Sequence, residues 1–171
     1  MPLTRRHALQ SLAAAGAGLA FGSSLARPAL AAKKDPKWQA SIEKGLKWVA
    51  KTQSSIGHWT ANGTYPTAMS ALAGTALISS GSTTTQGPYA KNVRKVVDYL
   101  LSKLRTNGLI GDPMQQDNRY TYGHGFAMLF LSQVLGEEED KERRDELIEA
   151  LTKATDFSCK AQAATGGWGY V

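Results

Sequence analysis

An all-α fold built from a repeated helix-and-turn unit is what this sequence predicts, and three observations carry that expectation. The first is a pattern written twice. Lys44-Gly45-Leu46-Lys47-Trp48, then Gln53, then Gly57-His58-Trp59 returns as Lys153-Ala154-Thr155-Asp156-Phe157, then Gln162, then Gly166-Gly167-Trp168. Every anchor of the second copy lies 109 positions after its partner, from Lys153 after Lys44 to Trp168 after Trp59. A fixed period is the first sign of a repeat architecture. The second observation is an alternation of amphipathic segments with uncharged apolar ones, as expected of paired outer and inner helices. The third is the punctuation: glycine or Asn-Gly follows each amphipathic segment but the last, which runs into its own Gly166-Gly167.

The elements follow in order. Helix one is expected from near Trp38 to Gln53, with Ile42, Leu46 and Val49 at three- and four-residue steps and Lys44, Lys47 and Lys51 between them. Gly57 can take the left-handed conformation that ends such a helix. Pro66 suits the first position of helix two, about residues 66–79. That segment has no charged residue, and its apolar and small side chains go all the way round, which predicts burial on every side. Helix three, about 89–105, sets Val93, Val96, Val97, Leu100, Leu101 and Leu104 against Lys91, Arg94, Lys95, Asp98 and Lys103, and stops at Asn107-Gly108. Helix four, about 122–135, is densely apolar from Phe126 to Val134. Helix five, about 140–161, opens on Glu137-Glu138-Glu139-Asp140, read as a solvated acidic start beside a positive helix end. Shifting the first copy by 51 places Trp48 on Tyr99 and Gly57 on Gly108, but Gln53 on Leu104 and Trp59 on Ile110, so a middle copy keeps only the helix and its glycine stop.

Residues 1–31 read as a signal peptide: Thr4-Arg5-Arg6-His7-Ala8-Leu9, an apolar stretch from Ala13 to Phe21, and Ala29-Leu30-Ala31 as a small-x-small cleavage signal. The adjacent arginines point to the twin-arginine route, with general secretion as the alternative. The expected destination is the periplasm or the exterior. Cleavage removes Arg5, Arg6 and Arg27, half of the formal charge of +6, and no Lys/Arg-rich helical face suited to nucleic acid remains. No later apolar run approaches the roughly 20 residues a membrane span requires. Residues 32–37 read as a solvated linker and 38–171 as the repeat domain. Cys159 is the single cysteine, which excludes an intramolecular disulfide; it reads as a small apolar helix residue.

The string Lys44-Gly45-x-x-Trp48-Val49-x-x-x-Gln53-x-x-x-Gly57-x-Trp59 resembles the Gln-Trp repeat of squalene-hopene and oxidosqualene cyclases, whose superfamily includes the protein prenyltransferase β-subunits. The resemblance covers residues 38–171 and implies part of an α/α toroid of inner and outer helices. On this reading Gly45, Trp48, Gln53, Gly57, Trp59, Phe157, Gln162, Gly166 and Trp168 are structural. Gln53 is expected to bond the free amides at the start of the next inner helix, with Trp59 stacked over the loop. The family's chemistry does not carry over: the cyclases' Asp-x-Asp-Asp cluster and the prenyltransferases' Asp, Cys and His zinc ligands have no counterpart here. A closed toroid needs more helices than the five read here, so the chain reads as the N-terminal part of a longer protein; a true end at Val171 would call for self-association.

Among the residues present, Tyr120, Tyr122 and His124 are the candidate ligand-binding group, at the start of an inner helix where aromatic rings and an imidazole can line a cavity. His58 lies at a variable position inside the first Gln-Trp unit. Asp112, Asp117, Asn118 and Arg119 are loop residues that either contact a polar ligand or simply turn the chain. No metal or cofactor is expected. Three functions remain: a non-catalytic exported repeat protein binding a hydrophobic ligand or a polypeptide; the N-terminal part of an isoprenoid cyclase whose acid lies downstream; and a carbohydrate-active α/α barrel, which would need paired carboxylates. The first is preferred.

Overall fold

The computed structural model describes residues 35–113 and 117–169. Contacts divide the chain into two units, 1–41 and 42–171. The signal peptide and its cleavage site lie outside the described residues.

In the first unit, Asp35 ends the linker earlier than expected. Its carboxylate accepts the Lys37 amide at 2.8 Å and its carbonyl accepts the Gln39 amide at 3.1 Å. Asp35 is therefore a helix cap, and α1 runs Pro36–Thr52 with proline as its first residue. Pro36 and Lys37, assigned above to the linker, belong to the helix.

The helices that follow are α2 (Pro66–Ser79), α3 (Ala90–Ser102), α4 (Tyr120–Glu137) and α5 (Lys141–Ala161). The described residues form no strand; two isolated bridges, Ala61–Thr64 and Leu104–Ile110, fasten turns. The fold is all-α. The two uncharged helices pack on each other along their length, α3 lies against α2, and α5 lies against α4. Gly74 is where α2 and α4 come closest: a methyl there would stand 2.6 Å from the Phe130 ring. Between these helices lies the core, with Leu77, Val93, Val97, Leu100, Phe130, Leu131 and Leu147 fully buried. Each such side chain contributes roughly 1.5–3 kcal/mol of hydrophobic stabilisation.

Helix α3 stops at Ser102 because Leu104 pairs with Ile110 across the turn. Helix α4 starts two residues earlier and ends two later than expected. Two expectations about exposure are corrected. The inner helices are not buried on all sides: Leu72 is 43% exposed on α2, and Leu129 is 50% exposed on α4. An inner helix has only an outer partner and its inner neighbour to cover it, and the remaining side meets solvent. Nor is the acidic start of α5 merely solvated. Glu138 is buried; one carboxylate oxygen accepts the amides of Glu139 and Asp140, both at 3.1 Å, and the other accepts the Thr84 hydroxyl at 2.9 Å. Asp140 caps α5 through the Arg143 amide at 2.8 Å. No helix among the described residues is long and apolar enough to cross a membrane.

Candidate functional site

The three turns after the outer helices share one backbone. In the first, the Ser54 amide donates to the His58 carbonyl at 3.0 Å and the Gly57 amide to the Ser54 carbonyl at 3.1 Å. The same two bonds recur at Arg105–Leu109 and Gly108–Arg105 (2.8 and 2.9 Å) and at Ala163–Gly167 and Gly166–Ala163 (both 2.8 Å). Gly57, Gly108 and Gly166 have φ of 96°, 92° and 88°, a region that glycine enters without steric penalty.

Side-chain bonds repeat as well. Gln53 Nε2 donates to the Gly57 carbonyl at 3.0 Å, and Gln162 Nε2 to the Gly166 carbonyl at 2.8 Å. Trp59 Nε1 donates to the Val49 carbonyl at 3.0 Å, and Trp168 Nε1 to the Ser158 carbonyl at 2.8 Å. These residues fasten the turns. Gln53, however, does not reach the amides of the next inner helix. Its Nε2 also donates to the Asn92 carbonyl on α3 at 3.1 Å, and its Oε1 accepts from Asn92 Nδ2 at 2.7 Å, so it latches one outer helix to the next. The amide at the start of α2 has another partner, Asp117. This side chain, 1% exposed, accepts the Thr67 hydroxyl at 2.5 Å, the Thr67 amide at 3.4 Å and the Asp112 amide at 3.2 Å.

His124 occupies a repeat position too. In the first turn the Trp59 amide donates to Ser70 Oγ on α2 at 3.1 Å; in the second the Ile110 amide donates to His124 Nδ1 on α4, also at 3.1 Å. An amide can only donate, so Nδ1 is the unprotonated nitrogen and the hydrogen of the neutral ring sits on Nε2. Nε2 then donates to Ser158 Oγ at 3.0 Å, and that hydroxyl donates to the Ala154 carbonyl at 3.0 Å. The chain of bonds ends on backbone. Burial holds the imidazole below its ordinary pKa, opposed in part by a hydrogen bond to the Ala154 backbone. With both nitrogens engaged and no carboxylate among these partners, the ring is a fastener rather than an acid–base catalyst.

The candidate group is therefore only partly brought together. Tyr120 and His124 line a cavity of about 50 Å³ together with Phe157, Ser158 and Trp168; His124 meets Phe157 edge to face at 5.0 Å. That volume accommodates a water or two rather than a drug-sized ligand. Tyr122 does not line it and is 49% exposed on the far side of α4. In the first turn, His58 Nδ1 lies 2.6 Å from Ser54 Oγ and its ring stacks on Tyr99 at 5.1 Å. Asn118 and Arg119 are exposed. Cys159, expected among apolar neighbours, is a free thiol exposed on α5. Among the described residues no three His, Cys, Asp or Glu side chains gather in a way that could hold a metal.

The residues that sequence reasoning passed over are Asn92, Asp117, Glu138 and Ser158. Each acts on a partner remote in sequence, and the one available signal was the 54-residue offset between the starts of α2 and α4 (Pro66 and Tyr120), which sets His124 on Ser70. Comparison of the chain with protein-family models, with curated proteins and with solved structures returned no match in any of the three.

Proposed function

We propose that this chain is an exported helical-repeat protein of the squalene-cyclase and prenyltransferase type that binds an apolar ligand without transforming it. The observation that carries the reading is the uncovered side of the inner helices. Helices α2 and α4 contain no Asp, Glu, Lys or Arg before Glu137, yet Leu72 and Ala76 on α2 and Tyr122, Gly125 and Leu129 on α4 are exposed. An uncharged surface presented on two rigid, closely packed helices is suited to an apolar partner. The engagement of both nitrogens of His124 and the absence of a carboxylate from its partners support binding over catalysis. Export rests on Arg5, Arg6 and the Ala29-Leu30-Ala31 signal.

The test is titration of the chain with a farnesyl alcohol and, separately, with an uncharged extended peptide, followed by tryptophan fluorescence and thermal shift. Saturable stabilisation by the isoprenoid that is lost in Leu72→Lys and Leu129→Lys is expected. Binding by the peptide alone would move the reading to a polypeptide ligand. No binding by either, or binding indifferent to both substitutions, would overturn it. Export is checked by the amino terminus of the protein recovered outside the cytoplasm, expected at Ala32, and by its loss when Arg5 and Arg6 are both replaced by lysine.

A further inference from the structure

Each outer helix carries a lysine four residues before an aromatic: Lys44 and Trp48 on α1, Lys95 and Tyr99 on α3, Lys153 and Phe157 on α5. On α3 and α5 this pair has one task. A side chain on Gly57 would overlap the Lys95 carbonyl, and one on Gly108 would overlap the Lys153 carbonyl. The lysine backbone thus rests on the left-handed glycine of the preceding turn. The aromatic settles beside it: Tyr99 stacks on His58, and Phe157 Cβ stands 3.1 Å from where a Gly108 methyl would be.

Two halves of this contact are present without a complement. The third turn has the same backbone and the same φ at Gly166, but nothing lies within 4 Å of a Cβ placed there. Gln162 makes the inner bond to Gly166 without the cross-helix bonds that Gln53 makes to Asn92. Trp168 is 53% exposed where Trp59 is 9% exposed. At the other end of the repeat order, α1 has the lysine and the aromatic in register, and Trp48 is 64% exposed.

We propose that copies of this chain associate head to tail, with the turn 162–168 of one copy receiving Lys44 and Trp48 on α1 of the next. A second copy is the occupant because its α1 has the same lysine-to-aromatic spacing that fills this socket twice within the chain. The contact is heterologous, since each copy offers a plug at one end and a socket at the other, and such contacts propagate into rings or open chains.

Sedimentation velocity of the full chain across a hundredfold concentration range tests this, with two variants. Trp48→Ala removes the exposed plug. Gly166→Asn blocks the socket while keeping a residue tolerant of the left-handed conformation. The wild type is expected to form dimers and longer species as concentration rises, and each variant alone to associate at least tenfold more weakly, with an unchanged circular dichroism spectrum. Mixing the variants is expected to restore a dimer and nothing larger, because one retains the socket and the other the plug. A wild type that stays monomeric would overturn the proposal. So would assembly insensitive to both substitutions, or a mixture that fails to recombine.

Discussion

Replacing Asp117 by alanine should destabilise the protein more than any other single loop substitution. The carboxylate is fully buried and receives three donors: the Thr67 hydroxyl at 2.5 Å, the Asp112 amide at 3.2 Å and the Thr67 amide at a long 3.4 Å. Hydrogen bonds to a charged group contribute about 1.5–3 kcal/mol each, and a buried donor left without a partner costs about 1–3 kcal/mol. Counting the two shorter bonds fully and the long one little, Asp117→Ala should cost about 3–5 kcal/mol. At an m-value of about 2 kcal/mol/M the urea midpoint falls by roughly 2 M. The assay is urea unfolding followed by tryptophan fluorescence and by circular dichroism. A double-mutant cycle with Thr67→Val should give a coupling of about 1.5–3 kcal/mol. A loss below about 1 kcal/mol, or no coupling, would refute the reading of Asp117 as the cap that joins the start of α2 to the 111–119 loop.

Three further outcomes are expected. Gln53→Ala breaks three hydrogen bonds and should cost about 2–3 kcal/mol, while Gln162→Ala breaks one exposed bond and should cost under about 1 kcal/mol in dilute solution; equal losses in urea unfolding would contradict the outer-helix latch. Burial lowers the folded-state pKa of His124, so the folded protein resists a proton that the unfolded chain accepts. Its contribution is present above the unfolded value of about 6.5 and is lost as pH falls from there through the folded pKa, and His124→Asn, compared with wild type by thermal unfolding, should remove that part of the acid sensitivity. Tyr99 is pushed up to about 12, first by burial and then by the charges of Asp117 and Asp112. The stability tied to its phenol is therefore complete below about pH 10 and lost between pH 10 and 12, and ultraviolet difference titration should show one tyrosine ionising late, returning toward normal in Asp117→Asn.

The parts of the fold legible in the sequence are those set by local rules. Helix α2 begins at Pro66 and ends at Ser79 as read, because proline at the first position and the Ser80-Gly81 pair act on their immediate neighbours. The turn glycines are legible for the same reason. Asp117 is not, because its partner Thr67 lies 50 residues upstream and an aspartate in a loop has the same local pattern whether it turns the chain or caps a distant helix. Glu138 was hidden by its neighbours: three of the four carboxylates in its run are solvated, and the Thr84 hydroxyl that singles it out is 54 residues away. Tyr120, His124 and Phe157 converge as helix periodicity allows, whereas Tyr122 turns away because two residues along a helix is most of a half-turn. The role of His124 was readable only by setting α4 on α2, where it takes the place of Ser70.

The seating of lysine carbonyls on glycine turns divides the informational burden of the repeat unequally. Gly57 and Gly108 meet a backbone atom, not a side chain. Any residue with a carbonyl can therefore stand at positions 95 and 153, while positions 57 and 108 accept one residue type without strain. The junction between repeats thus survives wide sequence drift on its helical side and almost none on its turn side. A degenerate copy such as the middle one, with Leu104 and Ile110 in place of glutamine and tryptophan, can lose its polar and aromatic markers and still hold its place in the stack, provided that one glycine remains.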